Sequence, residues 1–422
     1  LHFLGLQRST IAVLGMVVLV GMGERMAERF LPVYLIALGG GAMSIGLMSG
    51  LDNLLSALYS FPGGYLSDRI GTKRALLVFN LIAMAGFAIV IVFPSWQAVI
   101  VGSVFFISWS SISLPATMGL IARVLPAAKR TMGVSMHSLV NRIPMALGPL
   151  LGGLCIAVWG ERDGVRVAFG AALAFAVMAI FLQQKYIDGP AGGESAPGSG
   201  TPHPSPRSLW RQMRPGLKKL LISDILVRFC EQITHAFVVV WCMKTIAAPV
   251  SAVQFGVLTT IEMATAVLIY IPVAFLADRG RKKPFVLVTF ILFTSFPLVL
   301  MLAESFEWLV LAFVLRGLKE FGEPTRKALI VDLSPEANKA GMFGLYYLLR
   351  DVVVAVAAFG GAFLWEVSPQ TNFIAAFCFG VLGTLFFMLW GGDDAAGPHG
   401  TDDPRRGRGK AFRLREHPSS WF

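Results

Sequence analysis

The chain has 422 residues, 55% of them hydrophobic and 14% charged, with a formal net charge of +11 and a mean hydropathy of +0.68. Soluble domains carry about 25% charged residues; here apolar stretches of about 20 residues recur along the chain, which excludes an ordinary soluble domain and predicts an all-α polytopic membrane protein. The short alternating segments of a transmembrane barrel are missing, and the basic surplus sits in alternate connections, where it orients spans and needs no nucleic-acid partner.

Twelve spans are predicted, at 9–37, 43–66, 75–93, 96–122, 131–159, 164–187, 218–244, 252–276, 284–303, 307–331, 340–366 and 371–391. No small-residue cleavage pattern follows the first apolar run, so it is expected to remain as span one. Arg69, Lys73 and Arg74, then Arg123, Lys129 and Arg130, then the runs from Arg207 to Lys219 and from Arg279 to Lys283 mark one set of connections. The connections near 38–44, 94–97, 303–307 and 366–371 hold no Lys or Arg. The positive-inside rule then places both termini in the cytoplasm and the spans in the cytoplasmic (inner) membrane. The connection at 160–166 mixes Glu161, Arg162, Asp163 and Arg166. Residues 188–217 form a Gly/Pro/Ser-rich basic linker between an N-terminal six-helix bundle, 1–187, and a C-terminal one, 218–391. The polar tail, 392–422, is expected to be a disordered cytoplasmic segment.

Several spans carry charges that lipid would not tolerate. Residues 21–30 of span one read GMGERMAERF, and each charge at the centre of a lipid-facing span costs about 2.5 to 3.5 kcal/mol. Glu24 and Glu28 share a helical face, and Arg25 reaches Glu28 at i+3. In span seven Asp224, Arg228, Glu231 and His235 follow at spacings of four, three and four, and in span ten Arg316, Lys319, Glu320, Glu323 and Lys327 form a stripe. Arg142 of span five and the pair Arg350–Asp351 of span eleven sit at matching depth. Such stripes either pin helices together or line a polar cavity. For Arg25, Glu28, Arg228 and Glu231 the cavity is the better reading, because apolar residues pin helices at no desolvation cost. Arg29 and Lys327, near span ends, are expected to snorkel. Asp52 and Glu262 admit both readings, and His137 and His235 are either proton carriers or helix contacts. The cysteines (Cys155, Cys230, Cys242, Cys378) lie in apolar spans without metal-ligand spacing and read as core thiols. No nucleotide-binding loop, nucleophile elbow, HExxH or CxxC cluster is present, so neither an enzyme nor a cofactor or metal is expected.

The two halves repeat each other. Gly46, Asp52, Pro62, Asp68 and Arg69 recur 210 positions later as Gly256, Glu262, Pro272, Asp278 and Arg279; Gly133, Arg142, Gly152 and Gly153 recur 208 later as Gly341, Arg350, Gly360 and Gly361. Six-span repeats on either side of a linker are a transporter architecture. At the junction of spans two and three, GGYLSDRIGTKRALL resembles the signature loop of the major facilitator superfamily, matched by Gly64, Leu66, Asp68, Arg69, Gly71 and Lys73, with a degraded copy, AFLADRGRKK, holding Asp278 and Arg279. ALGPLLGG in span five resembles that superfamily's antiporter motif. The resemblance implies that spans one, four, seven and ten line a central cavity, and that Asp68 forms a cytoplasmic gate with Arg123 and the start of span eleven. The expectation is a secondary transporter for a small polar or charged organic solute, working by alternating access and coupled to protons. A lipophilic-drug antiporter and a non-transporting receptor are the other readings. A small-molecule substrate, protons and the lipid bilayer are the expected partners, and a monomer suffices.

Overall fold

A computed structural model describes residues 8–70, 72–106, 130–186, 206–277, 282–335 and 339–391. Every regular element among them is a helix, and their order follows the twelve predicted spans. Among the described residues, six helices are long and apolar enough to cross a membrane outright, and the bent pair Pro215–His235 and Val238–Thr245, with 41° between its parts, is long enough to do so together. Spans five and six run together as Arg130–Tyr186, but Gly160 has φ 77° and ψ 174°. That left-handed conformation suits glycine, and it folds the chain back so that Gly164 lies against Ile156. Large apolar side chains such as Leu81, Val158, Leu268, Leu302 and Val367 point outwards along the helices, as lipid contact requires.

The sites of helix breakage follow from sequence in two of three cases. Span one is Arg8–Glu28 followed by Leu31–Ala37. Pro32, in the first turn of the second piece, has no N–H to offer the Glu28 carbonyl four residues earlier. Span ten divides into Phe306–Leu318, a 3₁₀ turn at Lys319–Gly322, and Glu323–Asp332. Pro324 opens its last piece and leaves the Glu320 carbonyl free in the same way. Span seven breaks at residues 236–237, where the Phe237 N–H turns back to the Thr234 carbonyl at 2.9 Å, and a π-helical turn follows at Trp241–Thr245. No proline marks that break. Its position, 207 residues after the break in span one, keeps the register of the repeat.

The halves meet where span two packs on span eleven and span five on span eight. Their shared core lies at the end of the bundle remote from the linker. Phe30 of span one meets Phe255 of span eight edge to face at 5.8 Å, the Thr260 hydroxyl of span eight donates to the Ala146 carbonyl of span five at 2.8 Å, and Lys244 pairs with Glu161 at 2.5 Å. A second apolar cluster, at the linker end of the C-terminal half, includes Leu217, Phe290, Tyr346 and Phe387. Leu209 and Met213, inside the expected linker, are buried in it, because residues 206–212 form a short helix and the span-seven helix starts at Pro215.

Candidate functional site

A cavity of about 280 Å³ lies between the halves. Spans one, two, four, seven, eight and ten all contribute to its lining. Glu24, Arg25, Glu28 and Arg29 come from span one, Asp52 and Ser56 from span two, His235 from span seven and Arg316 from span ten. Leu31, Pro32, Val238, Val239 and Phe255 supply an apolar wall at the closed end. The breaks in spans one and seven fall within this lining, which is how transporters open a polar site inside apolar helices.

Packing by small residues sets the charged turn of span one in place. The motif-like stretch ALGPLLGG of span five passes beside it, and a Cβ on Gly148 would come within 2.6 Å of the Arg25 Cβ. Only a residue without a side chain lets the two helices approach so closely. The arrangement aims Arg25 along its own helix at Glu28, 2.7 Å away. Across the cavity Arg316, 2% exposed, pairs with the equally buried Glu262 at 3.3 Å. That contact is made by Nε; an amino group, Nη2, lies 3.5 Å from Nδ1 of His235, and Phe296 and Phe313 flank the guanidinium.

Two charges in the lining are handled differently. Among the described residues, Arg29 makes no hydrogen bond and no ion pair. It was expected to snorkel from a span end; instead the break after Glu28 turns it into the cavity. Asp52 accepts only a long hydrogen bond from Ser56, at 3.4 Å, and has no cation within ion-pair distance among the described residues.

Most of the other predicted site residues form a separate network in the C-terminal half. Glu231 is held by Arg228 and Lys319, each at 2.5 Å. Arg228 continues to Glu323 at 3.5 Å, and both carboxylate oxygens of Glu323 accept from one amino group of Arg326 at 2.7 and 2.8 Å. Arg326 also pairs with Asp224, which accepts from the Tyr346 hydroxyl at 3.0 Å and faces Arg350 at 3.6 Å. Arg350 in turn binds Asp351 at 2.7 Å. Arg142 reaches across from span five to Glu320 at 3.7 Å, linking the halves. Lys327 is half-exposed and touches Glu323 at 3.5 Å. A cleft wide enough for one water separates Glu231 and Lys319 from His235 and Arg316.

Arg326 escaped the sequence reading, although it is almost wholly buried and joins Asp224 to Glu323 in this network. Of the signature-loop residues, Lys73 donates to the Gln184 carbonyl at 3.1 Å. Gly64, Asp68 and Arg69 fall on the last turns of the helix Ala42–Ile70, but their side chains lie outside the described residues, as do His137's side chain and Gly71, Arg123, Asp278 and Arg279 altogether. Among the cysteines, Cys230 and Cys242 are buried and Cys378 is exposed on the outer surface of span twelve. No group of three or more His, Cys, Asp or Glu among the described residues has metal-binding geometry.

Paired six-helix bundles around a charged central cavity define a solute transporter of the membrane. The Major Facilitator Superfamily model matches residues 13–246 and again residues 220–420. The chain belongs to that superfamily and is an integral, multi-pass membrane transporter. An uncharacterised MFS-type transporter of Methanocaldococcus jannaschii, MJ1317, is 22% identical over 386 residues, covering 87% of this chain and 91% of the relative. The uncharacterised MFS-type transporter YfkF of Bacillus subtilis is 30% identical over 135 residues, 32% of this chain and 34% of its own. Among solved structures, the nucleoside transporter NupG superposes with a TM-score of 0.77 at 13% identity, over 90% of this chain and 99% of that one. A peptide transporter POT in complex with sulfate gives 0.72 at 14% identity, over 91% and 93%.

Proposed function

We propose that the protein moves a small charged organic solute across the cytoplasmic membrane by alternating access, driven by protons. The observation that carries this reading is the cavity between the halves, lined from both bundles and holding a guanidinium, that of Arg29, with no ion pair or hydrogen bond among the described residues. A guanidinium is always charged and presents a rigid fork of donors to carboxylate or phosphate. Leaving one unpaired away from bulk water is costly, and a bound anion offsets that cost. The nucleoside and peptide transporters with the same fold carry polar cargo by name, which supports a polar cargo by analogy.

Proton coupling is better assigned to Asp52 than to Glu231. Protonating Glu231 would strand Arg228 and Lys319 in a closely packed site, whereas Asp52 gives up only one long hydrogen bond. Glu28 is intermediate, with Arg25 as its one ion-pair partner among the described residues. With both termini on the cytoplasmic side, as the basic connections suggest, the closed end faces outwards and the cavity serves the inward-facing state. A single chain and its surrounding lipid suffice for this cycle. The signature Asp68 belongs to the opposite gate: Asp68→Asn is expected to leave solute binding intact and slow transport. A thermal-shift screen of purified protein tests the cargo class. Stabilisation by small organic anions or zwitterions supports the reading, and stabilisation by lipophilic cations alone would overturn it.

A further inference from the structure

We propose that the cavity binds a dipolar solute, one carrying an anionic group for Arg29 and an ammonium group for Asp52. This rests on the transport reading and adds the charge pattern of the cargo. Of the charges facing the cavity, Arg25 is committed to Glu28 at 2.7 Å, Arg316 to Glu262 at 3.3 Å and to His235, and Glu24 is engaged by a neighbour as well. Arg29 and Asp52 remain, one on each of two neighbouring spans, and no ion pair joins them although both line the same space. A protein that needed only neutrality there would pair them or replace both with apolar residues at a gain in stability.

The pattern discriminates between cargo classes. A simple anion would satisfy Arg29 and leave Asp52 facing added negative charge. A simple cation would do the reverse, and a neutral solute would leave both groups uncompensated. A solute with both charges satisfies both, and its carbon skeleton can lie against Met48 and Leu31 of the lining. A cavity of about 280 Å³ is at the small end of ligand sites, which fits an amino-acid-sized compound. The guanidinium fork favours a carboxylate at one end, and the carboxylate of Asp52 favours a primary ammonium at the other.

The test uses the full-length protein in lipid nanodiscs and isothermal titration with a matched five-carbon series. The probes are norvaline and 5-aminopentanoate as dipolar compounds, pentanoate as the anion and pentylamine as the cation. At least one dipolar compound should bind about tenfold or more tightly than either singly charged one, the size expected when one charge-assisted contact is lost. In Arg29→Gln the dipolar compound should fall to the affinity of pentylamine, and in Asp52→Asn to that of pentanoate. Arg29→Lys should recover part of the preference, and melting temperatures of all variants check that each is folded. Equal affinity of dipolar and singly charged probes, no binding by any of the four, or equal weakening of every probe in both variants would overturn the proposal. Uptake of labelled norvaline into proteoliposomes separates the two readings: a bound but immobile dipolar compound sinks transport, whereas movement of solutes without charge preference sinks the dipolar site.

Discussion

The two halves of the molecule treat equivalent charges in opposite ways. In the C-terminal half Asp224, Arg228, Glu231, Lys319, Glu323, Arg326 and Arg350 are each held by at least one opposite charge, and Asp224 and Arg326 are almost wholly buried. In the N-terminal half Arg29 follows the break in span one and lines the cavity without an ion pair among the described residues, and Asp52 faces the same space with Ser56 as its one hydrogen-bond partner among them. Glu24 and Glu231 occupy equivalent places in the repeat, yet one lines the cavity and the other closes a triad. Intramembrane charge therefore has two arrangements here: a saturated network ties spans seven, ten and eleven together, and a less saturated wall on spans one and two is where we propose that the ligand binds.

The sharpest way to break this contrast is to open the saturated network. Arg326→Leu removes the principal partner of Asp224 and one of two principal partners of Glu323, and removal of one member of a buried pair costs about 3 to 5 kcal/mol. We expect loss of most folded protein after detergent extraction, read by size-exclusion chromatography and thermal melting. Adding Asp224→Leu should recover most of the loss, because two apolar groups replace two paired charges. A double mutant as unstable as the single one would mean that the network matters through packing and not through charge balance.

The unsaturated wall should behave in the other sense. Arg29→Gln and Asp52→Asn are expected to keep or raise the melting temperature, because each removes a charge that has no ion pair among the described residues, while solute uptake falls by about tenfold or more. Asp52→Asn should also abolish accumulation driven by an imposed pH gradient, while counterflow exchange persists at solute concentrations high enough to offset the weaker binding. Glu231→Gln should instead lower the melting temperature. If Glu231→Gln uncoupled transport without loss of stability, the division of labour between the halves would be reversed.

Much of this division was legible in the sequence, and the failures have definite causes. Helical spacing found the stripes of spans seven and ten, and the repeat aligned Glu24 with Glu231. Arg29 was misplaced because span one was read as one helix to residue 37; Pro32, four residues after Glu28, was the available signal of a break. Arg326 was missed for a related reason. A continuous α-helix puts Lys327 on the stripe of Arg316, Glu320 and Glu323, but the 3₁₀ turn at Lys319–Gly322 advances about 120° per residue where an α-helix advances about 100°. Over four residues the phase shifts by almost one position, and Arg326 takes the inward place. The break in span seven had no signal of its own beyond its register with span one. Asp52 could not be ranked above Glu262 from sequence, because what separates them is the presence of Arg316 beside Glu262.

A finer test concerns how the charged turn of span one is positioned. Gly148→Val would drive a branched side chain into the Arg25 Cβ, 2.6 Å from where even the first carbon would sit. Overpacking of this kind costs about 1 to 3 kcal/mol, and it should displace Arg25 from Glu28. Uptake should fall by more than the fraction of protein lost, and Gly148→Ala should give a smaller effect in the same direction. Equal loss of protein and of uptake would mean that Gly148 serves packing alone.

The smallest effect is expected where the halves touch at the closed end. Lys244 and Glu161 pair at 2.5 Å but remain 38% and 30% exposed, and exposed pairs contribute about 0 to 1 kcal/mol. That is too little to matter for folding but enough to tilt an equilibrium between conformations of similar energy, since 1 kcal/mol changes a population ratio by about fivefold. Lys244→Gln should leave the melting temperature unchanged and raise the share of molecules open at this end. Spin labels on the connections near residues 40 and 303 would read that share by double electron–electron resonance. The shift should vanish in high salt, because screening removes from the wild type what the substitution removes from the variant. A shift of the same size at high salt would assign it to lost packing of the Lys244 stem and not to the ion pair.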